Sequence, residues 1–477
     1  MSDRHERRPR RVHVWAYNRT AGHWYGEGIS QVVTRLLSSF TDLTAVVYVH
    51  PDDESAATAV FRAAARVQVT TSRPPWRPSP GQAHGDRRGL RKLLDRARLA
   101  AARLPRKLAT QAARATLERR FRQAAQAGEC VYFPSPTLAF DVQAGNGLRV
   151  VSFWDNFVAE FPQYGPKRGA TTAKLRATLA RADLVITQSQ ANRRYLESVF
   201  GLSPDAIEVI ELGGNDYAHL LQDTALASAS LRTLDTGSLV ALWRAMSPAH
   251  ATDTPDELLE LSTLYRLREG FEPADRLIMV STQDRPHKNL DRLLEVVDAL
   301  KRGRPGIKLA FTTVLTDDRR RQWNLRFPWT IRDVFEFPRL TAPCHALLYR
   351  LADLVIHPSL VEGGPTPFPA FEAASLGTPA LMQEGRHTRE LADRVGAGTH
   401  EFCVDLFDAE RAPARIRHLL DEPDQRTANV RALLASCDSW GSVSRRFEAA
   451  LAARMMGRTP TGWADGSPSE TSLPNAA

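Results

Sequence analysis

The sequence predicts an α/β protein of two parallel-sheet domains, and three observations carry that prediction. Its 477 residues exceed one ordinary domain, so two units of about 200 residues each are the natural division. Short apolar runs alternate with helical patterns through both halves of the chain, as βαβ units do. Runs such as Leu354-Val355-Ile356 are apolar throughout rather than alternating, which suits strands covered on both faces.

In the first half, Val12 to Tyr17 reads as a strand. A loop with Gly22, Gly26 and Gly28 follows, then a helix through Val32, Val33, Leu36 and Leu37. Residues 73–125 read as a basic insertion that opens with the proline-rich Arg73 to Pro80. Strands at 131–133 and 150–153, a helix from Ala173 to Ala180, a strand from Leu184 to Thr187 and a helix capped by Ser189 continue the series. Ile207 to Ile210 closes it before Leu212-Gly-Gly-Asn215. The first Rossmann-like domain is placed at 1–225, a linker with helical decoration at 226–272 and the second Rossmann-like domain at 273–435. Two helices between Ala412 and Leu434 are marked by Pro413 and Pro423. The pattern breaks at 436–441, a last helix runs to 456, and the polar composition of 457–477 predicts disorder.

Hydrophobic content of 43% and charged content of 25% are those of a water-soluble globular chain. No segment is long and apolar enough to span a bilayer, and no apolar stretch follows the charged amino terminus as a secretion signal requires, so a cytoplasmic protein is expected. Cys130, Cys344, Cys403 and Cys437 are scattered, with no metal-ligand spacing and no expected disulfide. The formal charge of +9 raises the question of nucleic acid, but no DNA- or RNA-reading motif accompanies it, and none is expected as partner. Much of the charge falls between Arg87 and Arg122, around a stripe of Leu90, Leu93, Leu94, Ala97 and Ala101. Such a helix either rests peripherally on an anionic membrane surface or turns a solvated face outward; the sequence leaves both open.

The chemistry is concentrated in two loops. From His357 the chain reads Pro-Ser-Leu-Val-Glu362-Gly-Gly-Pro-Thr366-Pro-Phe-Pro-Ala-Phe-Glu372, a strand end, a glycine and proline turn and a helix start. Gly363 and Gly364 permit positive φ and close approach of a ligand, and free N–H groups at the helix start favour a phosphate. Carboxylates repel phosphate, so Glu362 and Glu372 are assigned to hydroxyls on either side of it, sugar and ribose. A surface turn whose glutamates cap the helix is the plainer alternative. Upstream, the strand from Leu277 leads into Gln283-Asp-Arg285-Pro-His-Lys288-Asn289, with Asn289 read as N-cap of a helix through Leu290, Leu293, Leu294, Val297 and Leu300. Arg285 and Lys288 thus follow a strand's carboxyl end, where two cations suit a diphosphate. Asp317-Asp318 reads as a solvated turn rather than a metal site.

The glutamate loop resembles the Glu-Gly-(Phe/Gly)-Gly-x-Pro-x-x-Glu signature of glycosyltransferase family 4, retaining enzymes of the GT-B fold. Its glutamates stand farther apart than is usual there, while Pro369-Ala-Phe-Glu372 fits. The basic loop resembles the family's Arg-x-x-x-x-Lys phosphate clamp, with Lys288 on the lysine position, Gln283 on the arginine position and Arg285 nearby. Gly26-x-Gly28 resembles the family's opening loop, beside donor phosphates and acceptor. Trp154-Asp155 stands where many members carry His-Asp; Asp155 would orient a hydroxyl and Trp154 offer a face to a sugar ring.

The resemblance implies two Rossmann-like domains facing each other across a cleft and a hexosyltransferase-type enzyme. It would move a sugar from a nucleoside diphosphate sugar to a glycan or lipid-linked acceptor with retention, in polysaccharide or glycoconjugate synthesis, without a metal or other cofactor. The catalytic assignment is Glu362, Arg285 and Lys288; the donor assignment is Gly363, Gly364, Thr366, Glu372 and Gln283; the acceptor or sugar side is Gly28, Trp154 and Asp155. A catalytically impaired nucleotide-sugar-binding protein of the same fold is the alternative.

Overall fold

A computed structural model describes residues 11–17, 28–72, 110–140, 142, 147–154, 168–221, 229–246, 255–338, 340–396, 398 and 401–456. Gly22, Gly26, Asp155, the basic stretch up to residue 109 and the tail from 457 lie outside the described residues.

The first sheet contains β1 (Arg11–Trp15), β2 (Thr44–Tyr48), β3 (Val67–Thr70), β4 (Cys130–Phe133), β5 (Arg149–Phe153), β6 (Leu184–Thr187) and β7 (Ile207–Val209). Their order is β3-β2-β1-β4-β5-β6-β7, and every pair is parallel. Its helices are α1 (Gly28–Ser38), α2 (Glu54–Val60), α3 (110–126), α4 (Arg168–Ala180) and α5 (Gln190–Phe200). The second half adds α6 (Thr236–Met246), α7 (Pro255–Glu269), α8 (Leu290–Gly303), α9 (Asp317–Arg326), α10 (Ala342–Leu351), α11 (Phe368–Ser375), α12 (Arg386–Val395), α13 (Arg411–Asp421), α14 (Pro423–Ala435) and α15 (Trp440–Met456). The second sheet, also parallel, contains β8 (Arg276–Val280), β9 (Ile307–Phe311), β10 (Val334–Glu336), β11 (Leu354–His357), β12 (Ala380–Gln383) and β13 (Cys403–Val404), in the order β10-β9-β8-β11-β12-β13.

Both sheets are covered on two faces, which is why their strands read as apolar runs. Val12, Val14, Leu36 and Val150 bury one face of the first sheet; Trp15, Leu117, Phe121 and Val151 bury the other. Val443, Phe447 and Leu451 of α15 belong to the first of these cores, so α15 crosses back onto the first domain. Each such side chain contributes about 1.5–3 kcal/mol by burial. Glu448 fixes the docking: its Oε1 accepts the backbone N–H groups of Thr41, Asp42 and Leu43 at 2.9–3.1 Å.

Three local readings change. Leu239, Trp243, Met246, Leu264 and Leu267 of α6 and α7 are buried in the second domain's core, so the stretch read as linker and decoration forms part of its wall. Asp317 and Asp318 are not a turn but the first turn of α9, where their charges suit the helix dipole; the Thr316 hydroxyl caps it by accepting the Arg319 N–H at 3.3 Å. Asn289 precedes α8 but makes no side-chain cap, because its backbone is left-handed with φ of 52°.

Candidate functional site

β8 and β11 are neighbours, paired through Leu354 with Ile278 and Val355 with Met279. From this pair the chain proceeds outward in opposite directions, to β9 and β10 on one side and to β12 and β13 on the other. The crevice beyond the carboxyl ends of such a pair is where open α/β sheets bind ligands. Both chemistry-bearing loops emerge there, 281–289 after β8 and 358–367 after β11.

The structure brings Glu362 and Lys288 together. Lys288 Nζ donates to Glu362 Oε1 at 2.6 Å, and His357 Nε2 contacts the same oxygen at 2.7 Å. A carboxylate can only accept, so the His357 Nε2–H is the donor in that contact. Burial pushes the Glu362 carboxyl up, but Lys288 and His357 together outweigh it and hold the group well below its ordinary range. Glu362 is therefore a carboxylate at neutral pH. His387, in the first turn of α12, is only 3% exposed, with no hydrogen bond at Nε2; burial pushes it down to about 4, against the attraction of Glu362. His287 is likewise down to about 4, through burial and then the Lys288 charge. Both are therefore neutral at pH 7 and add no positive charge beside Glu362.

Gln283 and Arg285 lie exposed at the lip of the β8 loop, joined by a backbone hydrogen bond of 2.9 Å. Asn289 is the one non-glycine residue with positive φ among the described residues, and its buried Nδ2 lacks a hydrogen-bond partner. Strain of this kind, about 1–3 kcal/mol, gathers at functional sites.

The glycines of the β11 loop serve a different approach from the one the sequence suggests. Neither Gly363 nor Gly364 has a positive φ. A Cβ on Gly363 would overlap the Trp154 carbonyl oxygen and Gln188 Nε2, and one on Gly364 would lie 2.9 Å from Gln188 Oε1. The first domain is what comes close. Asn192 Nδ2 donates to the Gly363 carbonyl at 2.9 Å and to the Trp154 carbonyl at 3.1 Å, tying the β11 loop to the end of β5. Thr366 Oγ1 lies 3.1 Å from Ser436 Oγ. At the start of α11, Pro369 has no N–H and the Ala370 N–H already bonds the Pro367 carbonyl at 3.1 Å, so fewer donors are free there than the sequence reading assigns.

Trp154 is half-buried, and its indole N–H donates to the Pro134 carbonyl. Gly28 starts α1, the helix after β1. Glu372 is 3% exposed, and both its oxygens are engaged within the protein: Oε1 accepts Asn215 Nδ2 at 2.8 Å and Oε2 accepts the Tyr349 hydroxyl at 2.9 Å. Neither partner is shared with the Glu362 cluster, and Asn215 lies on the chain that leaves the first domain after β7. Farther along the seam, Glu390 of α12 caps α5 of the first domain, accepting the N–H groups of Gln190 and Ala191 at 2.7 and 3.0 Å.

Sequence reasoning missed His357, His387, Gln188 and Asn192. Only His357 left a signal, by ending an apolar strand next to the motif.

No family model matches the sequence, and comparison with curated proteins finds no match. Solved structures do match along nearly the whole chain. The amino-terminal domain of trehalose-6-phosphate phosphatase from Candida albicans is 12% identical with a TM-score of 0.57, over 95% of this chain and 98% of that one. Anabaena HepE, solved with UDP and glucose, is 15% identical with a TM-score of 0.56, over 93% and 99%. WaaG, a glycosyltransferase involved in lipopolysaccharide biosynthesis, is 13% identical with a TM-score of 0.53, over 92% and 99%. At these identities the likeness establishes the fold: the chain has the GT-B architecture of two parallel-sheet domains.

Proposed function

We propose that the protein is a retaining glycosyltransferase that takes a hexose from a nucleoside diphosphate sugar and delivers it to a glycan or lipid-linked acceptor. The observation that carries this reading is the Lys288–Glu362–His357 cluster at the switch point of the second sheet. In the reaction the bond from the anomeric carbon to the diphosphate breaks, negative charge gathers on the leaving diphosphate, and an acceptor oxygen bonds the same carbon and passes its proton to the departing diphosphate oxygen. A cation there stabilises the transition state more than the ground state. Lys288 has three N–H donors and spends one on Glu362, so it can hold a phosphate oxygen at the same time. Arg285 at the lip adds a second charge, and Glu362 accepts sugar hydroxyls. With the diphosphate met by side chains, the reaction requires no metal.

The binding-protein alternative is favoured by one observation. The Trp154 indole N–H is spent on Pro134, so it does not replace the hydrogen bond of the histidine usual at that position in the family. Turnover separates the two readings: a panel of nucleotide sugars beginning with UDP-glucose, the ligand of a second HepE structure, is incubated with the protein and free diphosphate nucleotide is measured. Consumption of a donor supports the enzyme; binding without consumption supports the alternative.

The segment from Arg87 to Arg122 would hold the first domain peripherally on the cytoplasmic face of an anionic membrane, beside a lipid-linked acceptor. Its described end, in α3, buries Ala113, Leu117 and Phe121 on the first sheet and pairs Arg114 and Arg122 with Glu118. No helix among the described residues is long and apolar enough to cross a membrane.

A further inference from the structure

The domains are joined by two strands of chain that cross side by side, residues 213–215 after β7 and residues 438–440 before α15. They pair through Gly213 and Asp438, with the Gly214 N–H donating to the Asp438 carbonyl at 3.0 Å. No side chain fits at either glycine. A Cβ on Gly213 would lie 2.9 Å from the Trp440 ring, and one on Gly214 would overlap the Phe371 ring of α11.

A buried chain of hydrogen bonds runs through this crossover. Trp440 Nε1 donates to Asn215 Oδ1 at 3.2 Å, Asn215 Nδ2 donates to Glu372 Oε1 at 2.8 Å, and the Tyr349 hydroxyl donates to Glu372 Oε2 at 2.9 Å. Tyr349 stacks on His345 at 4.6 Å, and His345 Nε2 lies 2.9 Å from Ser281 Oγ at the carboxyl end of β8. One end of the chain is therefore the interdomain crossover and the other is the floor of the β8–β11 crevice. Glu372 stands at its centre on α11, the helix that follows the β11 loop directly.

We propose that Glu372 is the hinge pin of this protein, a positioning residue that fixes α11 against both crossover strands and so sets the angle between the domains. A carboxylate suits the place because its two oxygens can take donors from the crossover, through Asn215, and from the second domain's own wall, through Tyr349. Through α11, a ligand that shifts the β11 loop bears on the crossover. This role stands on the buried hydrogen-bond chain and does not depend on the proposed reaction.

The test uses the full chain with Asn215→Ala, Glu372→Gln, their combination and the milder Tyr349→Phe, each confirmed folded by a cooperative thermal transition. Small-angle scattering reads the separation of the two domains, and calorimetric titration with UDP reads the crevice. The pin predicts that Asn215→Ala and Glu372→Gln widen the distribution of domain separations alike, that the double variant goes no further, and that Tyr349→Phe moves the same way by less. UDP affinity should fall by a common factor in the two single variants. Scattering identical to wild type in both would overturn the proposal. So would a loss of about tenfold or more in UDP affinity confined to Glu372→Gln, which would make Glu372 a ligand of the nucleotide itself. If the wild-type protein does not bind UDP, the scattering arm alone decides the hinge, and the nucleotide reading rests on the donor panel.

Discussion

Replacing Lys288 by methionine removes one charge while keeping most of the side chain's length and apolar stem. At 2.6 Å and an effective dielectric constant of about 20, the attraction between Lys288 and Glu362 is about 6 kcal/mol before desolvation is subtracted. The two side chains are 17% and 19% exposed, so the net loss on breaking the pair is far smaller, at or below the low end of the ~3–5 kcal/mol typical of fully buried pairs. The effect on turnover is separate. Without the cation, the leaving diphosphate loses a preorganised contact, and kcat/KM should drop about 10²-fold or more, about 2.7 kcal/mol. The pH dependence of stability supplies an independent check. Glu362 is held below its ordinary value of 4.5, so it contributes stability that is present above that value and lost as pH falls through it toward the lowered one. Lys288→Met takes away the strongest attraction holding the group down, so the variant should lose less of its remaining stability across that acid window than wild type does. Steady-state donor consumption and urea unfolding between about pH 3 and pH 7 measure the two effects. Wild-type turnover together with an unchanged acid slope would refute the reasoning.

Gly363→Ala should force the β11 loop away from Trp154 and Gln188, lowering both turnover and thermal stability; an unaltered melting curve would contradict the contact. Asn192→Leu leaves the Gly363 carbonyl without that donor, while the Trp154 carbonyl keeps Gln188 Nε2 at 2.7 Å, and should cost about 1–3 kcal/mol in denaturant unfolding. Donor turnover should survive chelation, and complete loss on adding EDTA that magnesium or manganese restores would overturn the metal-free mechanism. Changing the arginines between Arg87 and Arg122 to glutamine should release the protein from anionic vesicles in flotation, since each adds about 1 kcal/mol of surface attraction. Binding that ignores vesicle charge would leave the segment a solvated face.

The parallel sheets were legible because their strands are covered on both faces. Leu354 to Ile356 and Leu184 to Ile186 are buried throughout, and sequence records that as unbroken apolar runs. The capping of α9 was not, because Asp317 and Asp318 look alike in a turn and in a first helical turn. Only the Thr316 hydroxyl, bonded to a backbone N–H, tells the two apart. Gly363 advertised a close approach but not what approaches. Its neighbour arrives from Asn192, 171 positions earlier in the chain, and no local pattern encodes such a contact. His387 was invisible for the same reason, as a single histidine beside Glu362 brought in by a separate helix.

We propose sugar transfer with retention, and the anomeric configuration of the released sugar tests it most directly. A donor that the protein consumes is followed by proton NMR from the first minutes, before the free sugar mutarotates. The sugar should first appear with the donor's own anomeric configuration, and Lys288→Met should slow its appearance. Release with inverted configuration, or no cleavage of any nucleotide sugar, would contradict the proposal.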